Sequence, residues 1–341
     1  MRQRRTANHD RIVAGLAELS KPAVVATINQ GGYAQWTMVQ PPEGDRESRY
    51  DIDMGVVFEE ASAAGPRTSR GWVRDAIARK AIGMKNEPVS KPKCVRVEYA
   101  AGYQCDFPVF RRRWTDAGWR YELAAGDEWV ASDPEAMNEW IRLQVWAKSP
   151  ETEGSYQLRR IIRFTKYFAK VHAFRLRVSF PGGLVATALA VEAYQIYEGR
   201  DDLSFRETLR ALGRRSEYTP VYANGFQVSD EKDIDRIRRL IAAAKEAVET
   251  LDKLDGQVSA ADAYKAWKKV FRHSFFEEAE VKASAFAGLE TKSAFGGLGL
   301  AAPALASTVA AALADTERAD RLRASAEVRK SAGGGEAPWA E

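Results

Sequence analysis

A chain of 341 residues with 45% hydrophobic side chains is long enough for two domains or one large bilobal unit, and too apolar to be disordered. Its net charge of +4 suits phosphate-bearing small molecules and falls short of the basic signature of a nucleic-acid binder. Two cysteines outside any Cys-x-x-Cys spacing, three dispersed histidines and the lack of a long apolar run argue against a disulfide framework, a zinc cluster and a membrane span, and point to an unexported, cytoplasmic protein.

Residues 8–29 carry Ile12, Leu16 and Leu19 at helical spacing, with Pro22 interrupting. Gln30-Gly31-Gly32-Tyr33-Ala34-Gln35-Trp36-Thr37 follows, and its glycine pair lets the backbone approach a ligand closely. Pro41 to Asp45 is loop chemistry. Tyr50 to Phe58 then reads as a strand. Side chains alternate there, so Asp51 and Asp53 share one face with Gly55 while Ile52, Met54, Val56 and Phe58 share the other. Such an Asp-x-Asp also occurs on the solvated face of any half-buried strand. A helix is predicted from Ser69 to Ile82, with Trp72, Ile77 and Ala81 on one side.

Cys94 to Tyr99 and Gln104 to Arg112 are two strands joined at Ala100-Ala101-Gly102 as a hairpin. Tyr103, Cys105, Phe107 and Val109 form its apolar parity, and Asp106 sits on the opposite one. If this strand neighbours the first, three carboxylates converge on one open face, where they repel one another and become tolerable with divalent cations between them. An all-oxygen donor set fits Mg2+, with Mn2+ as the alternative ion. Arg111, Arg112 and Arg113 leave this strand either as an exposed end or as phosphate contacts. Trp119 to Leu123 completes a mixed sheet within about the first 130 residues.

From Asp133 the periodicity is helical, and Asp133-Pro134-Glu135 is an N-cap with proline in the first turn. Tyr156 to Val171 offers Leu158, Ile161, Ile162 and Phe168 to a core, and Arg159, Arg160, Arg163 and Lys166 to a solvated or paired face. Gly182 and Gly183 precede a helix from Val185 to Tyr197, as an anion site at its N-terminus or as a close-packed turn. Helices are predicted from Asp230 to Leu254, with Ile234, Ile237, Ile241 and Ala244 as the buried stripe, and from Ala260 to about Glu280. Beyond Val281 the composition shifts to alanine, glycine and serine, with one possible helix from Ala304 to Arg329.

In chain order the glycine pair, Tyr33, Thr37, Asp51-Ile52-Asp53-Met54-Gly55-Val56 and Asp106-Phe107-Pro108-Val109 resemble the bacterial CD-NTases, cyclic-oligonucleotide synthases related to cyclic GMP-AMP synthase and oligoadenylate synthase. The resemblance runs from about residue 8 to about residue 280. It implies an α+β fold, a bilobal polymerase-beta-like nucleotidyltransferase core with a helical C-terminal lobe. The sheet domain and a brace helix would occupy residues 1–130, the lobe closing the nucleotide cleft residues 131–281, and a flexible tail residues 282–341. It further implies that Asp51, Asp53 and Asp106 are catalytic and hold two Mg2+ ions. Gln30, Gly31, Gly32, Tyr33, Thr37, Lys166, Gly182 and Gly183 would bind nucleotide, with Lys166 as a point charge on the triphosphate. The family usually has Gly-Ser where this chain has Gly31-Gly32, so a hydroxyl expected on the triphosphate is missing.

The implied activity joins NTPs, ATP among them, into a cyclic di- or trinucleotide second messenger in anti-phage (CBASS) signalling, with Asp106 helping to deprotonate the attacking ribose hydroxyl. A HORMA-type or ubiquitin-transfer-like regulator would dock on the tail. Two other classes stay open at this point: a template-independent nucleotidyltransferase acting on RNA or protein, and a catalytically weak nucleotide-binding scaffold.

Overall fold

The computed structural model describes residues 2–277 apart from 46–49, 81–82, 150, 153–154 and 257. The alanine-rich tail and its expected helix from Ala304 to Arg329 lie outside the described residues.

Helix α1 (Arg2–Glu18) buries Ile12 and Leu16 against the sheet. It lies so close to the next long helix that a Cβ on Gly15 would sit 2.2 Å from the Ala76 carbonyl oxygen. The helical reading of residues 8–29 is corrected at its far end. The helix stops at Glu18, Ser20 takes a left-handed conformation with φ 51°, and Ala26–Gln30 form strand β1. Pro22 ends the helix and the β-branched Val24, Val25, Thr27 and Ile28 favour extension. A single turn, α2 (Gly31–Ala34), leads into the central strand β2 (Tyr50–Glu59). Helix α3 (Pro66–Arg79) begins a turn before the predicted Ser69, with proline at its start, and the end of the predicted range at 81–82 lies outside the described residues.

Then come β3 (Val89–Ser90), β4 (Val95–Tyr99), β5 (Tyr103–Phe107), β6 (Val109–Thr115), β7 (Gly118–Ala125) and β8 (Glu128–Ala131). The strand predicted from Gln104 to Arg112 is divided at Pro108, which has no N–H to give to a ladder. Its register against β2 nevertheless continues: Asp53 lies opposite Asp106 before the proline and Val56 opposite Val109 after it, all parallel. The Pro108 carbonyl accepts the Val56 N–H at 2.8 Å, so β2 keeps its bond across the break. β1 pairs antiparallel with β2, β4 with β5, and β6 with β7. The buried parity of β2, Ile52, Met54, Val56 and Phe58, packs with Val73, Ile77, Val97, Cys105, Phe107 and Val109 against α1 and α3, as the alternation required.

The second half of the described chain is helical. Helix α4 (Pro134–Lys148) is capped by Asp133, whose side chain accepts the N–H groups of Glu135 and Ala136. α5 (Gln157–Leu176) runs past the predicted Val171, and α6 (Gly183–Ala193) stops before the predicted Tyr197 because Tyr194 leaves helical geometry. α7 (Asp201–Arg214) has no counterpart in the sequence reading, although Phe205, Leu209 and Leu212 recur at helical spacing and are fully buried. α8 (Glu231–Leu251) starts with a capping box at Asp230 and Asp233, and α9 (Ala260–Phe271) closes the lobe. Phe164, Phe168, Leu189, Phe205, Leu240 and Phe271 form its core. Among the described residues no helix is long and apolar enough to cross a membrane.

Of the two states expected for the α5 basic face, solvated or paired, Arg160 takes the paired one. Its guanidinium is inside the helical lobe, forked on Asp201 at 2.5 and 2.9 Å and bonded to the Ser155 carbonyl at 2.8 Å, with both side chains of the pair 7% exposed. Helical spacing placed Arg160 next to Arg159 and Arg163, and the acid that draws it inward comes from α7, 41 residues away. Removing one partner leaves the other charged and dry, so Arg160→Ala is expected to destabilise the fold by about 3–5 kcal/mol in chemical denaturation. A loss below about 1 kcal/mol would show the pair to be dispensable.

Candidate active site

The sheet face turned away from α1 and α3 carries the acids. The alternation of β2 places Asp51 and Asp53 there, and the parallel register sets Asp53 beside Asp106 on β5. Reading across the strands gives one row: Gln30 on β1, Asp53, Asp106, and Arg96 on β4. One pleat away, Asp51 lies opposite Gln104, whose amide donates to Asp51 Oδ1. The three predicted acids therefore lie on neighbouring strands of one face.

Charge crowding shows in their acidity. The Asp53 carboxyl is pushed up to about 7, first by burial and then by the charges of Asp106 and Asp51, against the smaller pull of Lys166 and Arg96. Asp51, more open to water, is also raised, again by desolvation first, with Lys170 and Gln104 acting in the opposite sense. Asp106 has a cation of its own. Arg96 donates to both of its oxygens, Nε to Oδ1 at 2.8 Å and Nη2 to Oδ2 at 2.7 Å. Among the described residues no three His, Cys, Asp or Glu side chains already surround a common point. A donor set made of carboxylate oxygens, with Asp53 and Asp51 both raised by burial and by the neighbouring charges, still fits a hard divalent cation that would offset the repulsion.

The glycine pair closes the site from one side. Gly31 has φ 62°, and a Cβ there would lie 2.0 Å from Asp53 Oδ2, so only glycine lets the backbone come this near the acid. At Gly32 a Cβ would meet Lys166 Nζ at 3.1 Å and the Met38 backbone at 3.2 Å. That room is used by the Lys166 ammonium, which reaches from α5 to donate to the Thr37 carbonyl at 2.8 Å and contacts Thr37 Oγ1 at 3.3 Å. Burial, with Lys170 adding to it, pulls the Lys166 pKa down to about 8, and Asp53 and Asp51 oppose the shift. Gly183 lies beside the same lysine, 3.8 Å from its Cε to an ideal Cβ.

The remaining predicted residues are more loosely grouped. Gly182 caps α6 with open space beside it, and Tyr33 faces the α1 residue Arg5, whose guanidinium carbon is 5.9 Å from the ring centre. Among the described residues Gln30 Nε2 is buried with no hydrogen-bond partner, 2.9 Å from an ideal Cβ on Gly55. Arg111 pairs with Glu122, Arg112 with Glu59, and Arg113 approaches Glu60 at 3.9 Å, so this run serves carboxylates of the sheet and of the turn that follows β2.

Three site neighbours escaped the sequence reading. Arg96 was legible in principle, because a hairpin that pairs Tyr99 with Tyr103 must pair residue 96 with residue 106. Trp36 had no such signal, and Arg163 stood out only as one member of the α5 basic face, with no pointer to Trp36. The Arg163 guanidinium donates twice to the Trp36 carbonyl, at 2.9 and 2.7 Å, holding Trp36 at φ 58° with the residue 55% exposed.

Acids on a mixed sheet, faced by a lysine from a helical lobe, define a bilobal nucleotidyltransferase fold of the polymerase-beta-like class. Residues 25–110 match the family described as "Cyclic GMP-AMP synthase DncV-like, nucleotidyltransferase domain". A cyclic GMP-AMP synthase of Escherichia albertii is 29% identical over 148 residues, 42% of this chain and 31% of that relative's length. The Vibrio cholerae DncV cyclic AMP-GMP synthase shares the fold with TM-score 0.57 at 18% identity, over 72% of this chain and 68% of that one. Escherichia coli DncV in its 3'-deoxy GTP bound form does so with TM-score 0.56 at 17% identity, over the same shares.

Two outcomes follow from this geometry. Asp53 ionises at about 7 when folded and at its ordinary 3.8 when unfolded, so the folded protein holds the extra proton between these values and stability falls as pH rises through them. In metal-free buffer, Asp53→Asn is expected to lose less melting temperature than the wild type between about pH 4 and pH 7. Equal losses in thermal melts would contradict the assignment. Gly31→Ala forces a methyl onto the Asp53 carboxylate at a left-handed backbone position, and is expected to lower stability by at least about 1 kcal/mol, measured by urea unfolding.

Proposed function

We propose that the protein is a nucleotidyltransferase that joins NTPs, ATP among them, into a cyclic di- or trinucleotide second messenger, releasing pyrophosphate, in bacterial anti-phage signalling. The observation that carries this reading is the row of Asp53 and Asp106, with Asp51 a pleat away, facing Lys166 across a glycine turn that admits no side chain at Gly31. The likeness to proteins with such names supports it as well: the Escherichia albertii relative is called a cyclic GMP-AMP synthase, and Vibrio cholerae DncV has been captured with the linear intermediate 5' pppA(3',5')pG.

Asp51, Asp53 and Asp106 would hold two divalent cations, Mg2+ or Mn2+, which when bound supply positive charge for the triphosphate and the attacking ribose oxygen. Lys166 would exchange its bond to the Thr37 carbonyl for phosphate oxygens, a gain because its ammonium is already desolvated where it lies and an anion restores its charged form. Gly32 keeps that exchange free of steric hindrance. Asp106, on the strand next to Asp53, would accept the ribose hydroxyl proton on a carboxylate oxygen. Arg163 would keep the Gly31 to Thr37 turn fixed through the Trp36 carbonyl, so that donor and acceptor meet in one geometry. A HORMA-type or ubiquitin-transfer-like regulator acting through residues 282–341, in the cytoplasm, belongs to the same proposal and follows from the family likeness.

Purified protein given magnesium and the four NTPs is expected to yield a small phosphatase-resistant product by mass spectrometry, and Asp53→Asn none. Identical product profiles for the two proteins would remove the synthase assignment. Lys166→Ala is expected to raise the KM for NTP by about tenfold or more, the scale of losing one charge-assisted contact.

A further inference from the structure

Arg96 occupies both oxygens of the acid nearest to Asp53, from the strand on the other side. We infer that Arg96 is a positioning residue that competes with a divalent cation for the Asp106 carboxylate, so that the site takes up metal by exchanging one cation for another. This rests on the proposed metal-holding role of Asp51, Asp53 and Asp106.

The two partners form a cross-strand pair, Arg96 on β4 opposite Asp106 on β5, inside a sheet that also ties β5 to β2. Neither backbone is free to retreat without breaking ladder bonds, so the exchange is a side-chain movement. The arginine is the better placed to move: its side chain is 35% exposed, whereas that of Asp106 is 16% exposed and walled by its neighbours. A guanidinium fork fixes the plane of a carboxylate, and a carboxylate so fixed directs its oxygens at β4. A cation between Asp53 and Asp106 would draw on these same two oxygens and would repel the guanidinium that already holds them, so its binding weakens or opens the fork. Arg96 also acts on Asp53 and Asp51 through space, favouring their charged forms, which marks it as the resident counter-ion of the acid row. Metal affinity in the nucleotide-free protein is therefore set below what three unencumbered carboxylates would give.

The test is Mn2+ binding by the full chain without nucleotide, followed by the loss of the free-ion EPR signal. Arg96→Gln is expected to bind Mn2+ about tenfold more tightly than wild type, the scale of one charge-assisted hydrogen-bonded partner. Arg96→Lys, which keeps the charge and loses the fork, is expected to fall in between, and serves if the glutamine variant folds poorly. In an Asp106→Asn background the Arg96→Gln gain should vanish. Affinity unchanged or weakened in both Arg96 variants overturns the inference, as does a gain that persists without Asp106. Equal Mn2+ binding by wild type and Asp53→Asn would instead overturn the metal-site reading itself, and this inference with it.

Discussion

A parallel strand pair holds its two backbones about 4.8 Å apart, and here it sets one aspartate directly beside another. Both side chains leave the same face, with a third acid one pleat away on β2. Such a row cannot remain fully ionised in partly dry surroundings, and the raised pKa of Asp53 expresses that. The rest of the site can be understood as answers to this crowding. Arg96 takes up Asp106 from one side, Gln104 donates to Asp51, and Lys166 brings a positive charge over the row from the opposite lobe.

The two halves of the fold meet through this charge balance and through one turn of backbone. α5 sends Arg163 to the Trp36 carbonyl and Lys166 to the Thr37 carbonyl, so the residues after the glycine pair are held from across the cleft. A helix whose buried side anchors the lobe through Phe164 and Phe168 thus presents its basic side to the sheet. The buried Arg160 and Asp201 pair fixes α5 to α7 within that lobe. Helix α5 thus carries rigid packing on one face and cationic side chains directed at the sheet on the other.

Much of the fold could be read from periodicity, and its failures have physical causes. The alternation in β2 and β5 separated acids from core without ambiguity, since a polar face and a packed face differ at every second residue. The helix start at Asp133 was marked by capping chemistry, and the helix from Asp230 by its buried stripe. β1 was hidden because a helical spacing of apolar residues ran up to it, and α7 was passed over despite Phe205, Leu209 and Leu212. Of the site, the acids and the glycine pair carried local patterns. The contact between Trp36 and Arg163 carried none, since a carbonyl held by a guanidinium 127 residues away leaves no trace in either local sequence.

The amino-acid order by itself determined which carboxylates share a face, because side-chain direction in a strand is a local property. It also determined where the backbone could come close to them, because only glycine tolerates the conformation and proximity found at Gly31. Tertiary structure alone decided that β2 runs parallel to β5 in the register that puts Asp53 beside Asp106, and that Lys166 lies over them while Arg160 turns inward. Those outcomes depend on pairings between distant segments, whose free energies come from burial and charge compensation that exist only after the chain has closed on itself.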